Sequence, residues 1–527
     1  MQFYSYDLQD PVFNIDGLRV NVQLITKENL YGLPMDGARL RRHGSTWMIE
    51  TKELSWAGQQ RRAPGSVYVE FKPMDDGFRV TGKAEAEHTL RCLKIILLGL
   101  PGDTLLDDGG RRDVITASGV VRHYPGGPGV WSVGPADGPY WTFYSEDSKP
   151  RFRRLAAYMR SGGATVELIF EEDARFWKRE LTMPPWVIQK TADPRVQVNH
   201  YLVHLERSLG LRRWEDRTDV PDWARQVSLV LSIHGMHWSG YIFNDYARVA
   251  KTVEAITRHI DGKHVMVFLP GWEGRYYWQY GDFRPEPMLG GPDGFADMCR
   301  RIHKTGAHLT LMFGGTCANA WFENFVHFGS HSISMTGNGL INQGNRPDWD
   351  LARNGDTGWQ AWLHAGSPTW QDHLFNTIHE LDSQYGIDGA FFDCWPDYWN
   401  DPRYNSFEGM WQLSRRLRQA NPNMLLSTEG WTDASLAIFP VHHSGPNYDH
   451  PWMNRYCRHW AHLHRAEPSR GSTGVHELGG VPYEPQRLHR GYWPTLSFVE
   501  DTLEKAQTEI HDVIHLAKQY AEQFLQG

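Results

Sequence analysis

Short runs in which apolar and polar residues alternate dominate the first third of the chain. Residues 18–24, 67–71 and 78–80 show this alternation, and an Asp-Asp-Gly turn at 75–77 separates the last two. Alternation places every second side chain on one face of a strand, and a tight turn between two such runs indicates a hairpin. Further strand-like runs lie between turn-rich segments at 90–98, 140–144 and 165–170. The pattern predicts an N-terminal antiparallel β-sandwich over residues 1–185.

The pattern changes after Met183-Pro184-Pro185-Trp186. Residues 186–222 are predicted to form a linker that contains a helix near 199–209. Beyond it, continuous apolar runs alternate with helix-like segments, and each run ends in a loop rich in His, Trp, Gly, Asp or Glu; these runs are 227–233, 264–269, 309–313, 387–392 and 424–427. Such strands are typical of a parallel sheet that is covered by helices.

A further strand-like run at 492–498 and a final helix complete this pattern. The helix shows an apolar stripe from Leu503 to Phe524 with spacings of three and four residues. The sequence therefore predicts a (β/α)8 barrel over residues 223–527, with its sixth and seventh strands between 436 and 483. A Rossmann sheet is the alternative fold, but no strand is followed by a Gly-x-Gly-x-x-Gly turn.

Composition narrows the class of protein. The chain has 527 residues, 40% of them apolar, and a net charge of −8, which indicates a folded chain. The acidic balance argues against a nucleic-acid partner, because binding to phosphates needs a basic excess. The best apolar run, residues 90–100, contains Arg91 and Lys94 and is too short to span a membrane. The start of the chain lacks a secretory pattern, and the five cysteines are scattered, so a cytoplasmic location is expected.

Two carboxylates follow neighbouring strands of the predicted barrel. Asp393 ends one apolar run, and Glu429 ends the next one, 36 residues further along. Residues just after the carboxyl ends of barrel strands line the active site, so adjacent strands are expected to bring these two side chains together. Glycoside hydrolysis needs such a pair, one carboxylate as nucleophile or base and the other as proton donor. Either residue alone could instead cap a helix or pair with an arginine.

Other side chains at the strand ends are candidates for substrate binding: His234, Trp272, Asp282, Trp395, Asp397, Trp431 and His442. Tryptophan faces stack on sugar rings, although large barrels also bury many aromatic residues. Asp282 could bind sugar hydroxyls, or it could form a turn. Alternatively, His234, His237, His442 and Asp449 could hold a metal ion, but the first strand lacks the His-x-His motif of barrel amidohydrolases. We therefore expect no metal ion and no cofactor.

Four segments resemble a known group of enzymes: the loop from Trp272 to Gly291, Gly366-Ser367-Pro368-Thr369-Trp370-Gln371, the strand from Ile387 to Asp393, and Ser427-Thr428-Glu429-Gly430. Together with the order of sandwich and barrel, they are similar to retaining α-glycoside hydrolases related to endo-α-N-acetylgalactosaminidase, α-galactosidase and the α-amylase-like barrels. The resemblance implies that Asp393 is the nucleophile, Glu429 the acid/base, and Asp282 a ligand of the sugar at the cleavage point.

The resulting hypothesis is a glycoside hydrolase, or a transglycosylase of the same chemistry, that cleaves an α-linked oligo- or polysaccharide with retention of configuration. The sequence leaves the sugar, the linkage and the oligomeric state open. An inverting enzyme with the same carboxylate pair is one alternative, and the metal-dependent hydrolase is another. A non-catalytic sugar-binding protein is a third, although it should have lost one of the two carboxylates.

Overall fold

The computed structural model describes residues 10–125, 129–237, 240–275, 277–341, 360–395, 398–430, 432–443, 450–460 and 486–525. The N-terminal region consists of antiparallel strands, which are, in chain order, β1 (Phe13–Ile15), β2 (Leu18–Thr26), β3 (Leu30–Tyr31), β4 (Arg39–His43), β5 (Thr46–Trp56), β6 (Arg61–Met74), β7 (Gly77–Ala86), β8 (Leu90–Leu100), β9 (Thr104–Leu106), β10 (Arg112–Val114), β11 (Val120–Tyr124), β12 (Val130–Gly134), β13 (Tyr140–Ser145), β14 (Arg153–Arg160), β15 (Gly163–Glu171) and β16 (Glu180–Thr191).

These strands form two sheets that share an apolar core. One sheet has the order β1-β2-β8-β15-β14-β11, with β3 on β2, and the other has the order β10-β9-β12-β13-β16-β7-β6-β5-β4. In β7, Phe78, Val80 and Ala84 are buried in this core while Arg79 and Lys83 are exposed, as the alternation predicted. The continuous apolar run is the inner strand β8, which is buried along nearly its whole length.

The Pro184-Pro185 pair lies inside β16 and does not end it. The pairing of β16 with β7 shifts register between Met183 and Trp186, which accommodates two residues that cannot donate a main-chain hydrogen bond. The strand therefore continues beyond residue 185 to Thr191, and Asp193 caps helix α1 (Pro194–Ser208).

The second half is built around a parallel sheet. Its strands, together with a separate antiparallel pair β20–β21, are β17 (Leu229–Ile233), β18 (Val265–Leu269), β19 (His308–Gly314), β20 (Cys317–Asn319), β21 (Gln360–Trp362), β22 (Gly389–Asp393), β23 (Leu425–Glu429), β24 (Val441–His443), β25 (Arg458–Trp460), β26 (Tyr492–Trp493) and β27 (Thr495–Phe498). The parallel order is β26-β25-β24-β23-β22-β19-β18-β17-β27. Because only Pro494 separates β26 from β27, the two ends of the sheet meet and the sheet is a nearly closed, barrel-like one.

Helices cover this sheet and bury apolar stripes in its core. They are α2 (Tyr246–Ile256), α3 (Gly291–Lys304), α4 (Phe325–Phe328), α5 (Pro368–Tyr385), α6 (Ser406–Ala420), α7 (Thr502–Lys505) and α8 (Gln507–Tyr520). In α8, the stripe predicted from sequence is buried at Ile510, Val513, Ala517 and Tyr520. None of the helices in the described ranges combines the length and the apolar character that crossing a bilayer would require.

Helix α1 connects the two halves. Tyr201, Leu202 and Leu205 of this helix lie in one apolar cluster with residues of β12, β13 and β16 on one side and with Leu436 and Tyr456 of the barrel-like half on the other. The N-terminal sheets are therefore packed directly against the segments that follow β23 and β24.

Candidate active site

Asp393 and Glu429 end the adjacent parallel strands β22 and β23, which are in register at Phe392 and Thr428. A carboxylate oxygen of Asp393 lies within 4.8 Å of one of Glu429. Asp393 is only 7% exposed, whereas Glu429 is exposed at the end of its strand. The topology thus places a sheltered carboxylate beside one that is open to solvent.

The residue after Asp393 connects the two carboxylates. Cys394 has a φ of 56°, in the left-handed region that residues with a side chain rarely adopt. This turn lets the Cys394 N–H donate to Glu429 Oε2 at 3.1 Å, while its thiol donates to Asp393 Oδ2 at 3.6 Å. Thr316 fixes the turn by donating to the Cys394 carbonyl at 2.5 Å. Local strain of this kind is concentrated at functional sites, where the surrounding structure maintains it.

Tyr280 orients the Asp393 side chain. Its hydroxyl donates to Asp393 Oδ2 at 2.5 Å, and the whole side chain is buried. Burial and the charge of Asp393 hold the pKa of Tyr280 well above its usual value, so the phenol remains a donor. Tyr280 belongs to the loop that follows β18, and its main-chain carbonyl accepts a hydrogen bond from Asn319 at 2.8 Å. Two donors, the Tyr280 phenol and the Cys394 thiol, therefore approach the same oxygen of Asp393.

Glu273 is a third carboxyl group in this region, and the sequence analysis did not select it. It is 1% exposed, and burial, with a further contribution from the charge of Asp393, raises its pKa from 4.5 to about 8. Neither of its carboxyl oxygens has a hydrogen-bond partner on another residue in the described part of the chain. At neutral pH the group is therefore a neutral acid. Because Glu273 follows the end of β18, the strand-end rule that selected Asp393 and Glu429 would also have found it.

Trp272 and Trp395, predicted to contact sugar, are placed in the apolar core. Trp272 is fully buried, and its indole N–H donates to the Met312 carbonyl at 2.8 Å. Trp395 is 2% exposed, and its ring packs against those of Phe392 and Phe439. Both side chains pack in the core of the barrel-like half.

The two predicted histidines are also buried. His442 lies with its ring nitrogens 2.7 Å from the Gly430 carbonyl and 2.9 Å from the Phe439 carbonyl, and burial lowers its pKa to about 4. It therefore holds the loop after Glu429. His234 is 4% exposed and packs edge-on against Phe243.

Asp282 lies on the loop after β18, and its carboxylate pairs with Arg284 at 2.7 Å. Its main-chain N–H donates to the Gln279 carbonyl at 2.9 Å, which is the turn geometry considered as the alternative role. The structure thus places it in a local ion pair. Asp397 and Trp431, the remaining predicted residues, lie outside the described residues.

Solved structures named as an α-N-acetylgalactosaminidase and as α-galactosidases have a similar fold. The α-N-acetylgalactosaminidase NagBb of Bifidobacterium bifidum aligns with a TM-score of 0.67 and 13% identity over 97% of this chain and 90% of that chain. The family GH36 α-galactosidase AgaA of Geobacillus stearothermophilus, in complex with raffinose, aligns with a TM-score of 0.56 and 11% identity over 97% of this chain and 78% of that chain. The galactosidase domain of the α-galactosidase-sucrose kinase AgaSK gives a TM-score of 0.52 and 15% identity, over 98% and 77% of the two chains.

The predicted resemblance is confirmed at the level of the fold. At identities of 11–15%, the similarity to these proteins shows the fold of this chain and does not assign roles to its individual residues. No family model matches the sequence, and no curated protein matches it either.

The metal-site alternative depends on three histidines and Asp449, and Asp449 lies outside the described residues. Among the residues described, two sets of three side chains place possible ligand atoms within 4.8 Å of one another, and neither set includes His234, His237 or His442. One set is Asp393, Cys394 and Glu429; the other is Asp107, Asp108 and His450. A hydrogen bond with Cys317, together with burial, raises the pKa of Cys394 well above its usual value. Cys394 is therefore held as a thiol beside the two carboxylates.

Proposed function

We propose that this protein is a glycoside hydrolase that cleaves an α-linked glycan by a retaining double displacement. The observation that carries the proposal is the distance of less than 4.8 Å between carboxylate oxygens of Asp393 and Glu429 at adjacent strand ends. Retaining enzymes hold their carboxyl groups about 5–5.5 Å apart, whereas inverting enzymes need about 6.5–9.5 Å to admit a water molecule. Nearest oxygens within 4.8 Å leave little room for a water molecule between the two groups, which supports retention over inversion.

In the first step, Asp393 attacks the anomeric carbon while Glu429 gives its proton to the departing glycosidic oxygen, which leaves a glycosyl ester on Asp393. In the second step, Glu429, now a carboxylate, takes a proton from water, and the water oxygen displaces Asp393. A sugar hydroxyl in place of water would give transglycosylation. The exposed position of Glu429 suits a group that must exchange protons, and Tyr280 suits the role of orienting the buried nucleophile.

Glu273 completes the proposed site. As a buried neutral acid close to Asp393, it can donate a hydrogen bond to a substrate hydroxyl without adding negative charge beside the nucleophile. This role would give its unsatisfied oxygens a partner when the substrate is bound.

We further propose the domain organisation expected from sequence: a β-sandwich at residues 1–185, whose last strand β16 extends to Thr191, a linker with a helix at 186–222, and a (β/α)8 catalytic barrel at 223–527. The two antiparallel sheets with a common core, and the nearly closed parallel sheet, support this division. An α-linked substrate is supported by the structural relatives, which are named as α-galactosidases and an α-N-acetylgalactosaminidase.

The test is a screen of aryl α- and β-glycosides, including α-galactosides and α-N-acetylgalactosaminides, with the wild-type protein and the Asp393→Ala variant. We expect cleavage of an α-glycoside that is abolished in the variant. Asp372→Ala is the matched control, because Asp372 is an exposed aspartate of α5 paired with Arg416, and it should leave activity unchanged. Activity that persists in Asp393→Ala, or that depends on a metal ion, would contradict the proposal.

A further inference from the structure

The segment after Glu429 connects β23 to β24 and contacts the N-terminal half through Asp433. At its start, Gly430 has a φ of 59°, and its N–H donates to the His443 carbonyl at 2.8 Å. The Gly430 carbonyl lies 2.7 Å from Nδ1 of His442. The first residue beyond Glu429 is therefore held by the neighbouring strand β24.

Four residues beyond Glu429, Asp433 is buried against the N-terminal half. It is 1% exposed, and its Oδ2 accepts hydrogen bonds from the Tyr201 hydroxyl at 2.6 Å and from the Gly129 N–H at 3.1 Å. Tyr201 belongs to α1, and Gly129 immediately precedes β12. Tyr124 of β11 also interacts electrostatically with this carboxylate. Asp433 thus attaches the segment after Glu429 to the N-terminal half of the protein.

The surroundings make this attachment rigid. The guanidinium of Arg153 lies 3.8 Å from the centre of the Tyr124 ring and 3.5 Å from the Tyr201 hydroxyl. On the loop itself, the Thr432 N–H donates to the Ser435 hydroxyl at 2.9 Å, and the Ser435 N–H donates to the Thr432 hydroxyl at 3.1 Å. Breaking one bond in a buried polar cluster of this kind leaves its partner desolvated and unpaired, so the cluster has one favoured arrangement.

We propose that Tyr201 and Asp433 are positioning residues for Glu429, so that the N-terminal half fixes the acid/base group in its working position. The inference rests on the proposed function. A general acid must reach within hydrogen-bond distance of the leaving oxygen, and a displacement of about 1 Å can lower a rate by about a hundredfold. Glu429 is exposed at its strand end, and its loop is held on one side by β24 and on the other by Asp433. Loosening the Asp433 contact is therefore expected to impair proton donation while leaving Asp393 in place.

The test compares two aryl α-glycosides of the same sugar, one with a phenol and one with a 2,4-dinitrophenol leaving group, on wild type and Tyr201→Phe. Only the phenol needs a proton from Glu429 as it departs. We expect kcat/KM for the phenyl glycoside to fall by about tenfold, and kcat/KM for the dinitrophenyl glycoside to change by less than about twofold.

Tyr456→Phe is the matched control. The Tyr456 hydroxyl donates to Glu206 of the same helix α1 at 2.8 Å. This variant therefore also removes one hydrogen bond between the helix and the barrel-like half, but on the segment after β24 and not on the one that follows Glu429. Both substrates should be cleaved at the wild-type rate. If thermal unfolding shows that Tyr201→Phe is poorly folded, Asp433→Asn keeps the shape of the side chain and should give the same dependence on the leaving group.

An equal loss on both substrates, or no loss on either, in a folded Tyr201→Phe or Asp433→Asn variant would overturn the positioning role and leave the proposed function intact. If folded wild-type protein cleaves neither the phenyl nor the dinitrophenyl α-glycoside of any sugar in the screen described above, the proposed function fails, and this inference fails with it.

Discussion

Replacing Glu273 by Gln should remove a pH-dependent loss of stability. The Glu273 carboxyl group is buried near Asp393, Tyr246 and Tyr280, and none of these supplies a positive charge. Its proton is therefore held more tightly in the folded protein than in the unfolded chain. The contribution of this group to the free energy of unfolding is fully present below pH 4.5 and is lost as the pH rises toward about 8. Gln has nearly the same shape but no proton to lose.

The size of the effect follows from the two pKa values. The difference between 4.5 and about 8, at about 1.4 kcal/mol per pH unit, corresponds to an upper limit of about 5 kcal/mol between acidic and alkaline pH. Each kcal/mol moves the melting temperature of a large domain by about 2 °C. Glu273→Gln should therefore match wild type within a few degrees at pH 5 and exceed its melting temperature by several degrees at pH 9.

The assay is differential scanning calorimetry of wild type and variant from pH 5 to pH 9. Glu504→Gln, an exposed glutamate in α7, is the control and should follow the wild-type curve at every pH. If the melting temperatures of Glu273→Gln and wild type stay parallel across this range, Glu273 does not retain its proton as described, and its proposed role as a neutral donor is refuted.

Three further substitutions test the site. Glu429→Gln should reduce kcat/KM on a phenyl α-glycoside by at least about a hundredfold and much less on a dinitrophenyl glycoside, and equal losses would argue against an acid role. Tyr280→Phe removes a donor to Asp393 and should lower kcat by about tenfold or more with little change in KM, measured by steady-state kinetics; an unchanged kcat would exclude its orienting role. Cys394→Gly relieves the left-handed backbone strain but also removes the thiol donor to Asp393, so kcat should fall while thermal stability changes little; an unchanged kcat would contradict a role of the thiol in orienting Asp393.

The parts of the fold that repeat a pattern could be predicted from sequence. The alternation at residues 67–71 and 78–80 is separated by a turn at 75–77, and the stripe in α8 extends over 14 residues, so both patterns could be recognised. Strands β24 and β25 have only three residues each, so no period could locate them within the predicted interval. In the sequence, the Pro184-Pro185 pair indicates the end of the β-sandwich. Whether a strand can instead continue through two prolines at a bulge depends on its partner strand, here β7, and local sequence does not identify that partner.

The carboxylate pair was predictable because both residues end adjacent parallel strands, and strand order alone brings them together. The surroundings of the pair were not predictable. Whether Trp272 faces a cleft or the core depends on Phe295, Phe313 and the Met312 carbonyl, which are distant in sequence. The contact between Asp433 and Gly129 joins residues 304 positions apart, and no local pattern records it.

The most direct test of the central claim is proton NMR of the first sugar anomer released from an aryl α-glycoside that the wild-type protein cleaves. If Asp393 forms a glycosyl ester that Glu429 then helps water to displace, the α-anomer will appear first and the β-anomer will follow only by mutarotation. If the β-anomer appears first, the pair acts by inversion, and the assignment of Asp393 as nucleophile is wrong.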